Sequence, residues 1–163
     1  MDTQDDYWMR KAIDVATVKG RDPSLSPIGS VIVLDGALIA AQRNQCRDLH
    51  DATAHAEMMA IRKAGAELGR ADLRGAILYS TLQPCGMCTM ALIWSKVRRV
   101  VFGAGRDDVH AMYFEARQIN TLDFVEKAYR DDLEIIGGCL KSECAALYYG
   151  PDADVPEEQQ GNI

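Results

Sequence analysis

The sequence predicts an α/β protein, a three-layer α/β/α sandwich built on a five-stranded mixed sheet. Short runs rich in Val and Ile alternate with longer segments whose apolar residues recur every three or four positions, the pattern of strands alternating with helices. Two of the short runs flank Asp35-Gly36, a pair typical of a hairpin with a tight primed turn, so one end of the sheet should be antiparallel. Helices separate the later strands, which should run parallel and be joined by right-handed crossovers.

A helix, a hairpin and a second helix account for the first half of the chain. The first helix is predicted by apolar residues at helical spacing from Trp8 to Ala16, and the loop after it is rich in Gly, Pro and polar residues. The second helix is rich in Ala, Met and Glu, which favour helical backbone. The predicted elements are a helix over 5–19, a loop over 20–27, strands over 30–34 and 37–41, and a helix over 54–68.

Strands alternate with helices in the second half. Apolar residues from Met87 to Trp94 repeat at helical spacing, so a helix should begin just after Pro84. Residues 103–120 form the least regular stretch. The remaining predicted elements are strands over 76–80, 97–103 and 133–136, a helix marked by Leu122, Val125 and Tyr129, and a last helix marked by Leu140, Cys144, Leu147 and Tyr148.

Size and composition favour a single globular domain. The 163 residues, 48% of them apolar, suit one core, which we assign to residues 1–150, followed by an acidic, polar tail over residues 151–163. The five cysteines are an odd number, and the acidic first residues lack the pattern of a signal peptide. We therefore expect a cytoplasmic protein without a disulfide framework. No apolar run is long enough to span a membrane.

The net charge of −6 bears on the kind of partner. Nucleic-acid binders usually carry basic patches, because contacts to phosphates dominate their affinity. The nearest candidate patch is Lys96, Arg98 and Arg99, and so few clustered cations more often form a solvated face. The charge balance therefore predicts a small-molecule partner and argues against nucleic acid.

Two short motifs predict a metal site. His55-Ala56-Glu57 is weak evidence by itself, but Cys85 and Cys88 form a C-x-x-C pair at the predicted start of a helix. There both thiolates can face one point, and the helix N-terminus lowers their pKa. Both motifs follow a predicted strand, so their helices can begin at the same edge of the sheet. One histidine and two cysteines are ligands that suit tetrahedral zinc.

Three protein ligands leave the fourth zinc position open for water, as in catalytic sites. Glu57 lies two residues from His55, where it is poorly placed to chelate but well placed to pass a proton from that water to a leaving amine. A closed structural zinc would need a fourth ligand, for which Cys46, His50 and His110 are the candidates. A redox C-x-x-C is another alternative. Both alternatives leave Glu57 unexplained.

Further residues around these motifs complete a family pattern. They are Pro27-Ile28-Gly29 before the hairpin, Asn44 after it, and the segments 53–57, 78–88 and 100–104. H-x-E followed by P-C-x-x-C is the signature of zinc nucleobase deaminases, and residues 6–149 resemble the cytidine deaminase-like superfamily. The resemblance implies the cytidine deaminase-like fold and zinc held by His55, Cys85 and Cys88. It also implies hydrolytic removal of an exocyclic amine, with Glu57 as the proton shuttle.

Three branches of that superfamily are similar here: guanine deaminases, yeast-type cytosine deaminases and bacterial tRNA adenosine deaminases. All three have an asparagine at the position of Asn44, so the resemblance implies that Asn44 contacts the base. The backbone N–H of Ala56 would likewise face the substrate. A turn residue that ends the hairpin is the alternative role for Asn44. The tRNA branch usually has Glu where this chain has Gln83.

The loop from Arg106 to Glu115 bears on the choice of branch. It is acidic and aromatic, which is unfavourable beside phosphates. Guanine deaminases place an aromatic residue and an acid here, so the resemblance implies that Phe114 stacks on the base and that Glu115 pairs with its N–H donors. In that branch the acid comes two residues after the aromatic. Because Glu115 comes one after Phe114 and two after Tyr113, the register stays open, and Phe114 as a core residue and Glu115 as a solvated one are the alternatives.

We therefore expect zinc-dependent deamination of a free nucleobase or a related small heterocycle, with guanine first. The alternatives are cytosine, tRNA adenosine, and a non-catalytic domain that zinc stabilises. The resemblance also implies a homodimer. The tail after Gly150 could cover the site of its own subunit or of a neighbour.

Overall fold

The fold is a five-stranded mixed sheet with helices on both faces, which confirms the predicted sandwich. The computed structural model describes residues 3–115, 120–128, 130 and 132–160. The strands are β1 Gly29–Leu34, β2 Ala37–Arg43, β3 Ile77–Leu82, β4 Arg99–Ala104 and β5 Glu134–Ile136. The helices are α1 Thr3–Ala16, α2 Cys46–Leu49, α3 Ala56–Leu68, α4 Gly86–Trp94, α5 Leu122–Glu126 and α6 Lys141–Ala145. The strand order across the sheet is β2-β1-β3-β4-β5.

The β1–β2 hairpin turns at Asp35-Gly36, as predicted. The φ angle is +51° at Asp35 and +76° at Gly36, the two left-handed residues that a type I′ turn requires. β1 also pairs antiparallel with β3, whereas the β3–β4 and β4–β5 pairs are parallel. The antiparallel part of the sheet therefore extends one strand beyond the hairpin.

Two apolar layers cover the two faces of the sheet. α1 and α6 pack on one face, where Met9, Val31 and Tyr79 belong to one buried cluster. α3 packs on the other face, where Ile32 and Leu78 belong to a second cluster. Successive strand residues point to opposite faces, so neighbours such as Leu78 and Tyr79 belong to different layers. Burial on both faces explains why β1 and β4 are nearly continuous apolar runs.

Helix α1 contacts the sheet at two points in particular, through the Asp5 side chain and at Gly29. The Asp5 carboxylate, which is 1% exposed, accepts hydrogen bonds from the Tyr79 hydroxyl at 2.9 Å and from Nη1 and Nη2 of Arg99 at 2.8 and 2.9 Å. Further along, α1 approaches β1 so closely that a Cβ at Gly29 would stand 2.1 Å from the carbonyl oxygen of Ala12. This close approach requires glycine at position 29, because any side chain there would push α1 away from β1.

Several helices are shorter than predicted. α1 ends at Ala16 rather than at residue 19, because residues 17–19 form a turn that leads into Gly20 with a φ of +106°. α6 ends at Ala145, and the last two apolar residues that predict it are buried in the turn that follows. α5 corresponds to the helix predicted around Leu122, and Tyr129, which contributed to that prediction, lies outside the described residues.

Several short helical turns were not predicted from the sequence. One is α2, a single helical turn between β2 and α3. The others are 3₁₀ turns over Pro23–Leu25, Arg106–Asp108, Ala111–Tyr113 and, in the acidic tail, Glu157–Gln159. In the tail the Tyr149 hydroxyl donates a hydrogen bond to Gln159 Oε1 at 3.0 Å. The tail thus folds back onto the body of the protein, although residues 161–163 lie outside the described part. Among the helices of the described segments, none has the length and apolar character needed to cross a bilayer.

Candidate active site

The two predicted motifs meet because each lies at the N-terminus of a helix. His55 precedes α3 and Cys85 precedes α4, and both have extended backbone, with φ/ψ of −63°/153° and −69°/175°. Cys88 lies in the first turn of α4. The C-x-x-C motif follows β3 closely, as expected. His55 does not follow its strand in the same way, because α2 and a turn come between it and β2.

The three predicted ligands lie at the separations that tetrahedral zinc requires. His55 Nδ1 is 3.5 Å from Cys85 Sγ and 3.6 Å from Cys88 Sγ, and the three donor atoms all lie within 4.8 Å of one another. Tetrahedral bonds of about 2.3 Å to sulfur and about 2.05 Å to nitrogen separate the nitrogen from each sulfur by about 3.6 Å. The donor set therefore fits zinc, with Nδ1 as the imidazole ligand.

The protonation of the two thiols suits a divalent cation. A hydrogen bond with Cys88, helped by one with His55, lowers the pKa of Cys85 to about 4 against the opposing effect of burial. The hydrogen bond with Cys85 and burial raise the pKa of Cys88 well above its ordinary value. Zinc, when bound, would hold both cysteines as thiolates, so its binding would release a proton from Cys88.

Glu57 lies beside these donors and is 3% exposed. Its Oε1 accepts a hydrogen bond from Ser80 Oγ at 3.1 Å, and its Oε2 lies 3.6 Å from Cys88 Sγ. One carboxylate oxygen thus faces the sheet and the other faces the zinc donors. Burial raises the pKa of Glu57 above its ordinary value, which suits a group that must both accept and return a proton near neutral pH.

The candidates for a fourth protein ligand do not join the cluster. Cys46 Sγ lies 3.8 Å from the carbonyl oxygen of Ala52. His110 Nδ1 accepts a hydrogen bond from the backbone N–H of Met112 at 3.1 Å. Within the described residues, one group of three or more donors could hold a metal. It consists of His55, Cys85 and Cys88. This part of the chain therefore leaves the fourth position to water.

A cavity of about 780 Å³ opens onto the zinc donors. This volume is within the range of small-molecule sites. Its lining includes His55, Cys85, Asn44, Phe114, Glu115 and Gln159. Three of the predicted substrate residues therefore border the same space as two of the predicted zinc ligands.

Asn44 and Ala56 are the two residues whose contacts with the base were predicted from the resemblance, and only Asn44 lines the cavity. Asn44 is half-buried, and its Nδ2 donates a long hydrogen bond of 3.4 Å to the carbonyl oxygen of Ser26. Ala56 is fully buried as the first residue of α3, where a backbone N–H has no partner within the helix. Their contacts with a substrate stay predictions.

Phe114 and Glu115 border the cavity in different ways. Phe114 is 2% exposed and belongs to the core cluster beneath α1, and the Arg106 guanidinium lies 4.3 Å from its ring centroid. Much of the Phe114 surface is therefore already packed, which agrees with the alternative that Phe114 is a core residue. Glu115 is exposed, and its Oε1 accepts a hydrogen bond from the N–H of Gly86 at 3.0 Å. Its carboxylate thus lies at the N-terminus of α4, beside the C-x-x-C motif.

Three polar side chains of this region were not assigned a role from the sequence. Ser80 donates a hydrogen bond to Glu57 from within a buried strand, and a polar residue at such a core position was the available clue. Gln83 accepts a hydrogen bond from the N–H of Arg106 and donates one to Asn120 Oδ1, both at 3.2 Å, so it joins two loops. Gln159 reaches the cavity through the folded tail, which no local pattern predicts.

The chain is similar to known deaminases. The family described as the cytidine and deoxycytidylate deaminase zinc-binding region matches residues 2–104, more than half of the chain. The tRNA-specific adenosine deaminase of Bacillus subtilis is 37% identical over 145 residues, which are 89% of this chain and 86% of that protein. Guanine deaminase of the same organism is 43% identical over 89 residues, which are 55% of this chain and 57% of that protein.

Solved structures of both groups of relatives are also similar to this chain. One, from work on A-to-I editing by tRNA deaminases at the wobble position of transfer RNA, has a TM-score of 0.71 at 35% identity. It covers 86% of this chain and 98% of its own. A guanine deaminase from Nitrosomonas europaea has a TM-score of 0.71 at 28% identity, covering 87% of this chain and 81% of its own.

The fold, the zinc donors and these similarities together define a zinc-dependent hydrolytic deaminase. More particularly, the chain belongs to the family of the cytidine and deoxycytidylate deaminase zinc-binding region. The predicted superfamily, reaction class and zinc cofactor are thereby confirmed.

Proposed function

We propose that the protein hydrolyses the exocyclic amine of a purine base and that adenosine in transfer RNA is its substrate. The observation that carries this proposal is the extent of similarity. The likeness to the tRNA-specific adenosine deaminase of Bacillus subtilis runs through 89% of the chain, whereas the likeness to guanine deaminase of that organism covers 55%. The comparisons therefore favour a nucleic-acid partner, against which the net charge argued, over the free guanine that was expected first.

The mouth of the cavity is less acidic than the protein as a whole. Lys19, Arg43 and Arg47 border it, together with the carboxylates Asp48 and Glu115. Asp48 forms ion pairs with both Lys19 and Arg43, so it orders two of the cations at the rim. Salt screens charges over a Debye length of about 10 Å, so a phosphate near the mouth responds mainly to these local cations.

The arrangement of side chains supports the following chemistry. Zinc, when bound, supplies an activated water molecule at its open position. Glu57 Oε2, which faces the zinc donors, would accept a proton from that water and return it to the leaving nitrogen. A C–O bond forms at the ring carbon that carries the amine, the C–N bond breaks, and ammonia leaves. Asn44 and the N–H of Ala56 would hold the base with the amine toward Glu57.

Guanine is the second candidate, because a carboxylate in the lining of the cavity favours a small neutral base. That carboxylate belongs to Glu115. A carboxylate repels phosphates, but it can accept hydrogen bonds from the N–H groups of guanine.

Ammonia release from a panel of substrates tests the proposal. The panel contains an anticodon stem–loop with adenosine at the wobble position, guanine, cytosine and free adenosine. We expect release from the stem–loop alone, and a rate at least about 100-fold lower with zinc-replete Glu57→Gln. Release from guanine without release from RNA would replace the proposal with the second candidate, and release from cytosine alone would reject both. A zinc-replete protein inert on the whole panel would favour the non-catalytic alternative.

We also propose a homodimer in the cytoplasm, built from a domain over residues 1–150 and the acidic tail. On α4, Trp94 is 70% exposed and Met90 is 41% exposed, an apolar surface that a second subunit would bury. Sedimentation equilibrium should give twice the chain mass of 18.0 kDa. A monomer at micromolar concentration would contradict this part of the proposal.

A further inference from the structure

A buried serine lies beneath Glu57 on a sheet face that is mostly apolar. Ser80 is fully buried on β3, two residues after Leu78, so both side chains point to the face that α3 covers. Its hydroxyl donates to Glu57 Oε1 at 3.1 Å. A buried hydroxyl in an apolar layer is costly unless it is hydrogen-bonded, and here its partner is the carboxylate of the proposed proton shuttle.

A second buried serine lies next to the first. Ser30 on β1 is the cross-strand partner of Ser80, and directly opposed residues have Cβ atoms about 5 Å apart on the same face. Ser30 is fully buried, and within the described residues its Oγ has no hydrogen-bond partner. Ser80 gives its one proton to Glu57 and keeps its lone pairs for accepting. Because the two hydroxyls are not in hydrogen-bond contact, a link from Ser30 to Ser80 Oγ would run through one bridging water.

We infer that Ser80 is a positioning residue for Glu57 and that Ser30 supports it from the neighbouring strand. This inference rests on the proposed role of Glu57. Ser80 holds Oε1 against the sheet, which leaves Oε2 on the side of Cys88 and the zinc donors. With one oxygen held back, the carboxylate cannot turn both oxygens toward the metal and take the position kept for water.

The arrangement predicts what loss of the hydroxyl does. In Ser80→Ala the carboxylate keeps its burial but loses the bond that orients it, so it adopts several rotations and occupies the productive one less often. Substrate binding uses other groups, so KM should change little. Loss of one hydrogen bond to a charged group corresponds to roughly a tenfold fall in kcat.

The experiment compares purified, zinc-loaded Ser80→Ala, Ser80→Thr and Ser30→Ala on whichever panel substrate the wild type converts. Ser95→Ala is the matched control, because Ser95 is also buried but bonds the carbonyl oxygen of Leu92. We expect kcat to fall about tenfold in Ser80→Ala and about threefold in Ser30→Ala, with KM within about twofold and zinc content unchanged. Ser80→Thr, which keeps the hydroxyl, should recover most of kcat, and Ser95→Ala should match the wild type.

Crystal structures of the wild type and of Ser80→Ala give a readout that does not depend on turnover. Glu57 Oε1 should contact Ser80 Oγ in the wild type, and the carboxylate should rotate in the variant. Wild-type kcat in Ser80→Ala, or no recovery in Ser80→Thr, would overturn the inference while Glu57→Gln stays inactive. Activity of Glu57→Gln would instead overturn the proposed role of Glu57 itself. If Ser80→Ala does not fold, the kcat values of Ser80→Thr and Ser30→Ala still test the inference.

Discussion

Replacing Asp5 by alanine should destabilise the protein strongly although Asp5 lies in the first turn of the first helix. The carboxylate is 1% exposed and accepts three hydrogen bonds, two from Arg99 and one from Tyr79. Breaking a buried ion pair by removing one partner costs about 3–5 kcal/mol, because the other charge stays behind. The Arg99 side chain is 21% exposed and also pairs with Glu134, so we take the lower end, about 3 kcal/mol.

Thermal and urea unfolding measure this effect. For a chain of this size, about 3 kcal/mol corresponds to a fall in Tm of roughly 6–12 °C. Glu134→Gln is the matched control: it removes the other carboxylate that Arg99 contacts, but that side chain is 59% exposed, so the loss should stay below about 1 kcal/mol. Equal losses of stability in Asp5→Ala and Glu134→Gln would refute the argument that burial makes the first pair important. Turnover per folded molecule should not change, because Tyr79 lies on the sheet face away from Glu57.

Three further predictions concern packing, the metal and the tail. Gly29→Ala should lower stability by about 2–4 kcal/mol, because its Cβ would stand 2.1 Å from a carbonyl oxygen of α1, whereas Gly150→Ala, with nothing within 4 Å, should be neutral in urea unfolding. Cys88→Ser should lose zinc and the stability that zinc binding adds, while His110→Ala should keep one zinc per chain; equal zinc contents by mass spectrometry would contradict the assigned ligands. Removing residues 151–163 should change KM for the panel substrates, because Gln159 borders the cavity; unchanged KM and unchanged oligomer size would exclude a role for the tail there.

The local features of the site could be predicted from the sequence because their causes are local. A C-x-x-C pair after a strand and before an apolar helical stripe places two thiols at a helix N-terminus whatever the rest of the fold does. The Asp35-Gly36 turn is equally local, since two left-handed residues in succession fix the hairpin. These features set the position of the zinc donors and of β1, and they required no knowledge of distant packing.

The substrate side of the cavity could not be predicted in the same way, because residues far apart in the sequence form it. The position of Glu115 follows from its hydrogen bond to Gly86 at the start of α4, and counting residues along the 106–115 loop does not reveal that contact. Phe114 packs into the core beneath α1 and against Arg106. This position depends on how the helices pack on that face of the sheet. Gln159 reaches the cavity only because the tail folds back.

Charge illustrates the same limit. The net charge of −6 argued for a small-molecule partner, but a sum over the chain does not tell where the charges lie. Lys19, Arg43 and Arg47 border the cavity. The similarity to a tRNA-specific adenosine deaminase over 89% of the chain weighs further against that argument.

The central claim is that one zinc ion and Glu57 together carry out the deamination. Zinc content and ammonia release of Glu57→Gln, measured on the same preparation, test it most directly. The account predicts one zinc per chain, as in the wild type, and a fall in turnover of at least about 100-fold, since general acid–base catalysis contributes that much. One zinc per chain with wild-type ammonia release would contradict it.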